Sequence, residues 1–145
     1  METTTPASHE AGTQMSPAEA LLALLIASAR ADGAVSPHEA NQIEHIVATM
    51  KLFRGTTLES RHTLIVKAAD RIKELGIHHV VDEAVSRIPK ELAKTAFALA
   101  VDLMLTDGRL TAREQGYADE LRDALNVDPE MAGRIIDVLT IKNAG

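Results

Sequence analysis

"ADGAVSPHE" (residues 31–39) and "TDGRLTARE" (residues 106–114) are one pattern written twice. Each has Asp-Gly, an apolar residue, a hydroxyl residue and a Glu three positions further on. Working outward, each copy is preceded by an apolar run, "ALLALLIASA" from Ala20 and "AFALAVDLML" from Ala96. Each is followed by an amphipathic stretch. Residues 32–50 laid on 107–125 also match Glu44 with Asp119, Ile46 with Leu121 and Met50 with Leu125. The repeating unit is therefore a buried helix, a DG turn and an amphipathic helix. The expected architecture sets the two buried helices at the centre, related by a pseudo-two-fold.

The rest of the chain carries helix signals throughout. "SPAE" (Ser16 to Glu19) is a capping box with Pro at the first helical position, and it opens a helix to about Ala31. "SPHE" (Ser36 to Glu39) opens the next, with Ala40, Ile43, Ile46, Val47 and Met50 on one face. Gly55 breaks the chain. A third helix starts in "TTLE" with Ile65, Ala68, Ala69, Ile72 and Leu75 as its stripe, and Gly76 closes it. Residues 77–88 form a fourth. Pro89 begins a fifth, running to about Thr106. "TARE" (Thr111 to Glu114) opens a sixth with Tyr117, Ala118, Leu121 and Leu125 inward. Asp128-Pro129 opens a seventh with Ile135, Ile136, Val138 and Leu139 inward. No useful segment alternates with period two. The fold class is all-α: a single-domain bundle of about seven helices with an internal helix–DG-turn–helix pseudo-repeat, spanning 16–142. Residues 1–15 are expected to be a disordered polar tail.

Composition narrows the function classes. With 145 residues the chain suits one domain with a real core. Aromatic content is 2%, so Leu, Ile, Val, Ala and Met must fill that core. With no Cys there is no disulfide framework, thiolate metal site or Cys nucleophile. A net charge of −6 and no basic stripe argue against nucleic acid. The apolar run from Ala20 is too short to span a bilayer, and "METTTPASHEAGTQMS" lacks the features of a signal peptide. No direct membrane insertion and a cytoplasmic location are expected. There is no nucleotide-binding glycine loop, nucleophile elbow or HExxH, so no enzyme and no organic cofactor are expected.

The turn itself has two readings. In the structural one, Gly33 and Gly108 supply positive φ past a helix end. Asp32 and Asp107 bond backbone N–H groups. Ser36 with Glu39, and Thr111 with Glu114, form capping boxes, and Val35 and Leu110 act as hydrophobic staples. In the other, the order matches the second half of an EF-hand loop. The first and third ligand positions of that loop fall on Ser28 and Arg30, and on Leu103 and Leu105. An ordinary EF-hand is therefore rejected, because Ca²⁺ takes about six to eight oxygens. A cation would need the two half-loops to pool Asp32, Glu39, Asp107 and Glu114, or water to complete its shell. These are hard oxygen donors suited to Ca²⁺, Mg²⁺ or Mn²⁺ ahead of Zn²⁺. A Glu in a capping box points back to its own helix, so the two roles compete.

Other candidates are lesser. His78 with Asp82, and His79 with Glu83, have a spacing that can hold zinc, but they flank an apolar stripe and are expected to be solvated. His38 is expected to be an exposed first-turn residue. Asp102, in the middle of an apolar helix, needs a partner, expected to be an Arg or Lys across the bundle.

The helix ends "ARADGAVSPHE" and "LMLTDGRLTARE", the all-helical length and the run "ELRDALNV" together resemble the TerB family of tellurite-resistance proteins, over about residues 17–140. The resemblance implies a compact helical, non-enzymatic, cytoplasmic protein linked to tellurite and other chemical stress. It implies partnership with other Ter proteins, some of them membrane-embedded. It also implies a divalent cation at an acidic site, with Asp32, Glu39, Asp107 and Glu114 at the matching positions. Arg30, two residues before Asp32, departs from a purely acidic site. The alternative is a helical protein-interaction adaptor without metal, its turns serving only to fold it.

Overall fold

The computed structural model describes residues 15–29, 35–105 and 108–144. Among these residues there are seven α-helices and no strand, so the chain is an all-α bundle. They are α1 (Pro17–Ala29), α2 (Pro37–Ala48), α3 (Leu58–Leu75), α4 (Ile77–Arg87), α5 (Ala93–Met104), α6 (Ala112–Ala124) and α7 (Pro129–Lys142).

The centre is α1. Every residue from Ala20 to Ser28 is buried, as its all-round apolar sequence requires. It packs against α4, α3 and α5, so the two apolar helices of the repeat are neighbours. Ser28 is the one buried polar residue among those described, and its hydroxyl donates to Leu24 O at 2.8 Å. Phe53 and Phe97 are the largest fully buried side chains; Leu, Ile, Val, Ala and Met fill the rest of the core.

Ion pairs tie the outer helices together. Arg61 of α3 meets Glu44 of α2 at 2.6 Å, and Arg71 of α3 meets Glu83 of α4 at 2.9 Å. The α3–α4 junction turns on one residue: Gly76 has φ +87, and its N–H donates to Ile72 O at 2.8 Å. After α6, Asn126 takes φ +58. Its N–H and that of Val127 donate to Asp123 O and Arg122 O, which makes a Schellman closure.

Several details differ from the sequence expectations. Met15 is only 4% exposed and joins the core, so the packed chain begins inside the segment expected to be a tail; residues 1–14 lie outside the described residues. Pro89 is followed by a 3₁₀ turn, Lys90–Leu92, before α5 starts, and a second 3₁₀ turn, Lys51–Phe53, buries Phe53. Leu75 and Val138, expected inward, are exposed. Leu75 is the last residue of α3, beside the turn at Gly76. Val138 lies on the outward flank of α7, which packs chiefly on α5 and fully buries only Ala132.

Candidate functional site

Both hydroxyl–Glu pairs of the repeated pattern are closed capping boxes. At α2, Ser36 N donates to Glu39 Oε1 at 2.9 Å and Glu39 N donates to Ser36 Oγ at 3.1 Å. At α6, Thr111 N donates to Glu114 Oε1 at 2.9 Å and Glu114 N donates to Thr111 Oγ1 at 3.1 Å. The turn before α6 is tight: Gly108 has φ +95 and donates to Leu105 O at 2.8 Å. Val35 and Leu110 pack on the core edge, as staples do. Asp32, Gly33, Asp107 and Arg30 lie outside the described residues. Among the described residues no group of three or more His, Asp or Glu converges in a way that could hold a metal ion.

A third capping box shows what such a Glu can do besides capping. At the start of α1, Ser16 N donates to Glu19 Oε1 at 3.0 Å and Glu19 N donates to Ser16 Oγ at 3.1 Å. Its other oxygen, Oε2, holds Lys67 Nζ at 2.8 Å. Burial pushes the Glu19 carboxyl pKa up, but the hydrogen bonds from Lys67 and Ser16 and the charges of Lys67 and Arg71 outweigh it, so the net shift is downward. One carboxylate thus serves a helix end and a cation at once. Glu114 has the same geometry with Oε2 unpartnered among the described residues.

The first turns of α2 and α6 open onto clefts. One, of about 360 Å³, lies between α2, α5 and the end of α7; His38, Gln42, His45, Asp102 and Asn143 line it. Asp102 is partly exposed rather than buried, and it finds its partners on α7. Asn143 Nδ2 donates to it at 2.8 Å and Lys142 Nζ reaches it at 3.3 Å. The second DG turn adjoins this corner, because a Cβ at Gly108 would lie 3.9 Å from Asn143 O. The other cleft, of about 350 Å³, lies between α4 and α6 at the ends of α1 and α5. Its walls include Ala27, Ile77, Met104 and Tyr117, and Glu114 stands at its edge.

A sequence profile of the family described as "Tellurite resistance protein TerB" matches residues 18–137. The chain belongs to the TerB family. No curated protein and no solved structure matches it. The TerB match runs from the second residue of α1 through α6 and most of α7, so both DG segments of the sequence fall inside it. It ties the chain to a tellurite-resistance family built on a non-catalytic helical domain.

Within this TerB domain His78, His79 and Asp82 are solvated, as expected, whereas Glu83 is half-buried. His78 and His79 are exposed, and Glu83 is engaged by Arg71. His38 is exposed as well. Sequence reasoning missed the cleft around Tyr117. The ring was expected inward, but only the fold shows that its Oη is buried with no hydrogen-bond partner among the described residues. Burial pushes the phenol pKa up to about 12, and Glu120 adds to the shift. The Ser28 hydroxyl is close enough to moderate the shift but does not meet hydrogen-bond geometry with Oη. No helix among the described residues is long and apolar enough to cross a membrane.

Proposed function

We propose that the chain is a non-enzymatic, cytoplasmic TerB protein of tellurite and chemical-stress resistance, which holds a divalent cation at its DG…E turns and works with other Ter proteins, some of them membrane-embedded. The family match supports the stress-resistance role. Glu19 carries the cation reading: a capping Glu in this same chain keeps its helix end with one oxygen and a positive charge with the other. In this reading Glu39 and Glu114 keep their caps, and Asp32 and Asp107 supply further hard oxygens, suited to Ca²⁺, Mg²⁺ or Mn²⁺. Tellurite is an oxyanion, which an acidic site repels, so the resistance role is indirect.

A second reading is favoured by the closed capping boxes themselves. The turns are then folding devices, and the protein is a metal-free helical adaptor. Calorimetric titration of the metal-stripped protein with Ca²⁺, Mg²⁺ and Mn²⁺, beside an Asp32→Asn/Asp107→Asn variant, separates the two. Saturable binding that is lost in a still-folded variant supports the cation site. No binding to either protein leaves the adaptor.

A further inference from the structure

The cleft beside Tyr117 is not used by either reading. It adjoins a smaller hollow of about 80 Å³, with which it shares Ile77, His78, Tyr117 and Glu120. Together they form one groove between α4 and α6. Its floor and walls are apolar: Ala27, Ile77, Val81, Met104, Tyr117 and Leu121. Its volume is in the range of small-molecule sites, roughly 300–1,000 Å³.

Three further observations point to what the groove takes. First, the rim is acidic. Asp82, Glu114 and Glu120 stand there with Arg113 and His78, and among the described residues neither Asp82 nor Glu120 has a hydrogen bond or ion pair. Second, Tyr117 brings an electron-rich ring into the wall, while its hydroxyl is buried away from the groove. Third, Gly116 lies inside α6 on this cleft, where a Cβ would meet nothing within 4 Å. A helix-interior Gly is destabilising relative to Ala, and no neighbour among the described residues requires one here. It keeps the mouth of the cleft open.

We propose that this groove is a binding site for a small amphipathic cation, a protonated amine carried on an aromatic or aliphatic body. The body lies against Ile77, Met104 and Leu121. The ammonium sits by Glu120 and the Tyr117 ring, where charge attraction and the ring quadrupole both favour it. Neither a carboxylate nor a phosphate suits such a rim. The groove shares Glu114 at its rim with the DG…E cation reading, but the amine is placed on Glu120 and Tyr117 and does not depend on a bound metal.

The test is a titration of the ¹⁵N-labelled full chain, in the presence of chelator, with 2-phenylethylamine, and in parallel with 2-phenylethanol and phenylacetate. The expected result is saturable shifts confined to the residues of the groove, in the order amine, alcohol, carboxylate. Glu120→Gln should weaken the amine about two- to fivefold, as loss of one exposed charge does, and leave the alcohol unchanged. Gly116→Phe should close the mouth and abolish binding while melting at or above the wild-type temperature. Absence of saturable shifts at millimolar amine would overturn the proposal. So would equal binding of all three probes, or amine binding that Gly116→Phe leaves intact.

Discussion

The two clefts are lined by positions 75 apart in the sequence. Ala27, Arg113, Gly116, Tyr117 and Glu120 line one; Asp102, His38, Asn41, Gln42 and His45 line the other. In both, the end of one apolar helix meets the first turns of the helix that follows the opposite DG turn. Their chemistry differs. The first is apolar with an acidic rim and a phenol whose buried oxygen has no hydrogen-bond partner among the described residues. The second is polar, and the end of α7 reaches into it through Lys142 and Asn143 to hold Asp102. Among the described residues, the matched positions Ser36 with Thr111 and Glu39 with Glu114 cap helices. The residues that decide what each cleft accepts are not matched. Turn chemistry and cleft chemistry are therefore separable, and substitutions at paired positions can address each alone.

The largest effects should fall on the paired core positions behind the clefts. Leu22 in α1 and Phe97 in α5 are both fully buried at the same 75-residue offset. Leu22→Ala should cost about 2–5 kcal/mol and Phe97→Ala about 3–5 kcal/mol. Urea denaturation should show both losses in the midpoint, with an unchanged slope. A Phe97→Ala loss below that of an exposed substitution would mean that α5 is not part of one cooperative core with α1.

The caps come next. Ser36→Ala and Thr111→Ala each remove one side-chain acceptor from a helix start and should each cost about 1 kcal/mol. Equal losses in metal-free protein would show that the two turns fold the chain in the same way. A loss for Thr111→Ala that appears only when Ca²⁺, Mg²⁺ or Mn²⁺ is present would assign that turn to the cation instead. Smaller still is the contrast at Gly116 and its counterpart Asn41. Gly116→Ala should stabilise by about 0.5–1 kcal/mol, because the added Cβ meets open space and stiffens α6. Asn41→Ala, in a helix that already has a side chain there, should gain less. Thermal melts of the four proteins check the order.

How much of this was legible in the sequence follows from the range of each interaction. The capping boxes were, since Ser36 with Glu39 and Thr111 with Glu114 are three residues apart and close on themselves. The burial of α1 was too, because a helix apolar all round has only the core to occupy. Asp102 declared its need for a partner, but not that the partners would be Lys142 and Asn143, some forty residues away. The groove was invisible. It is built from α1, α4, α5 and α6, and neither the spacing of Ile77 and Tyr117 nor their types show that they share a wall. Val138 was misplaced for the converse reason: periodicity gives an apolar side to α7, but how much of that side is covered depends on what packs there.

The smallest effect at neutral pH, and the one most specific to the Tyr117 cleft, concerns the phenol. Gln42 holds its place in the other cleft and does not titrate. Buried without a partner, the Tyr117 hydroxyl forgoes a hydrogen bond it would make to water in the unfolded chain. Tyr117→Phe removes that group and keeps the ring, so stability at pH 7 should be unchanged or rise by up to about 1 kcal/mol. At high pH the sign is fixed by linkage. The folded pKa, about 12, lies above the ordinary value of 10.0. The unfolded chain therefore releases the proton first. Below pH 10 both states keep the proton and the phenol adds no pH dependence; as pH rises from 10 toward 12 the unfolded chain ionises first and the folded protein loses stability. Tyr117→Phe should flatten the alkaline limb of a stability-against-pH curve across that window, and Gln42→Ala should leave the limb as it is. An alkaline limb identical in Tyr117→Phe and wild type would mean that the phenol reaches water in the folded protein. The groove would then be wider at α1 than its walls suggest, and the two clefts more alike.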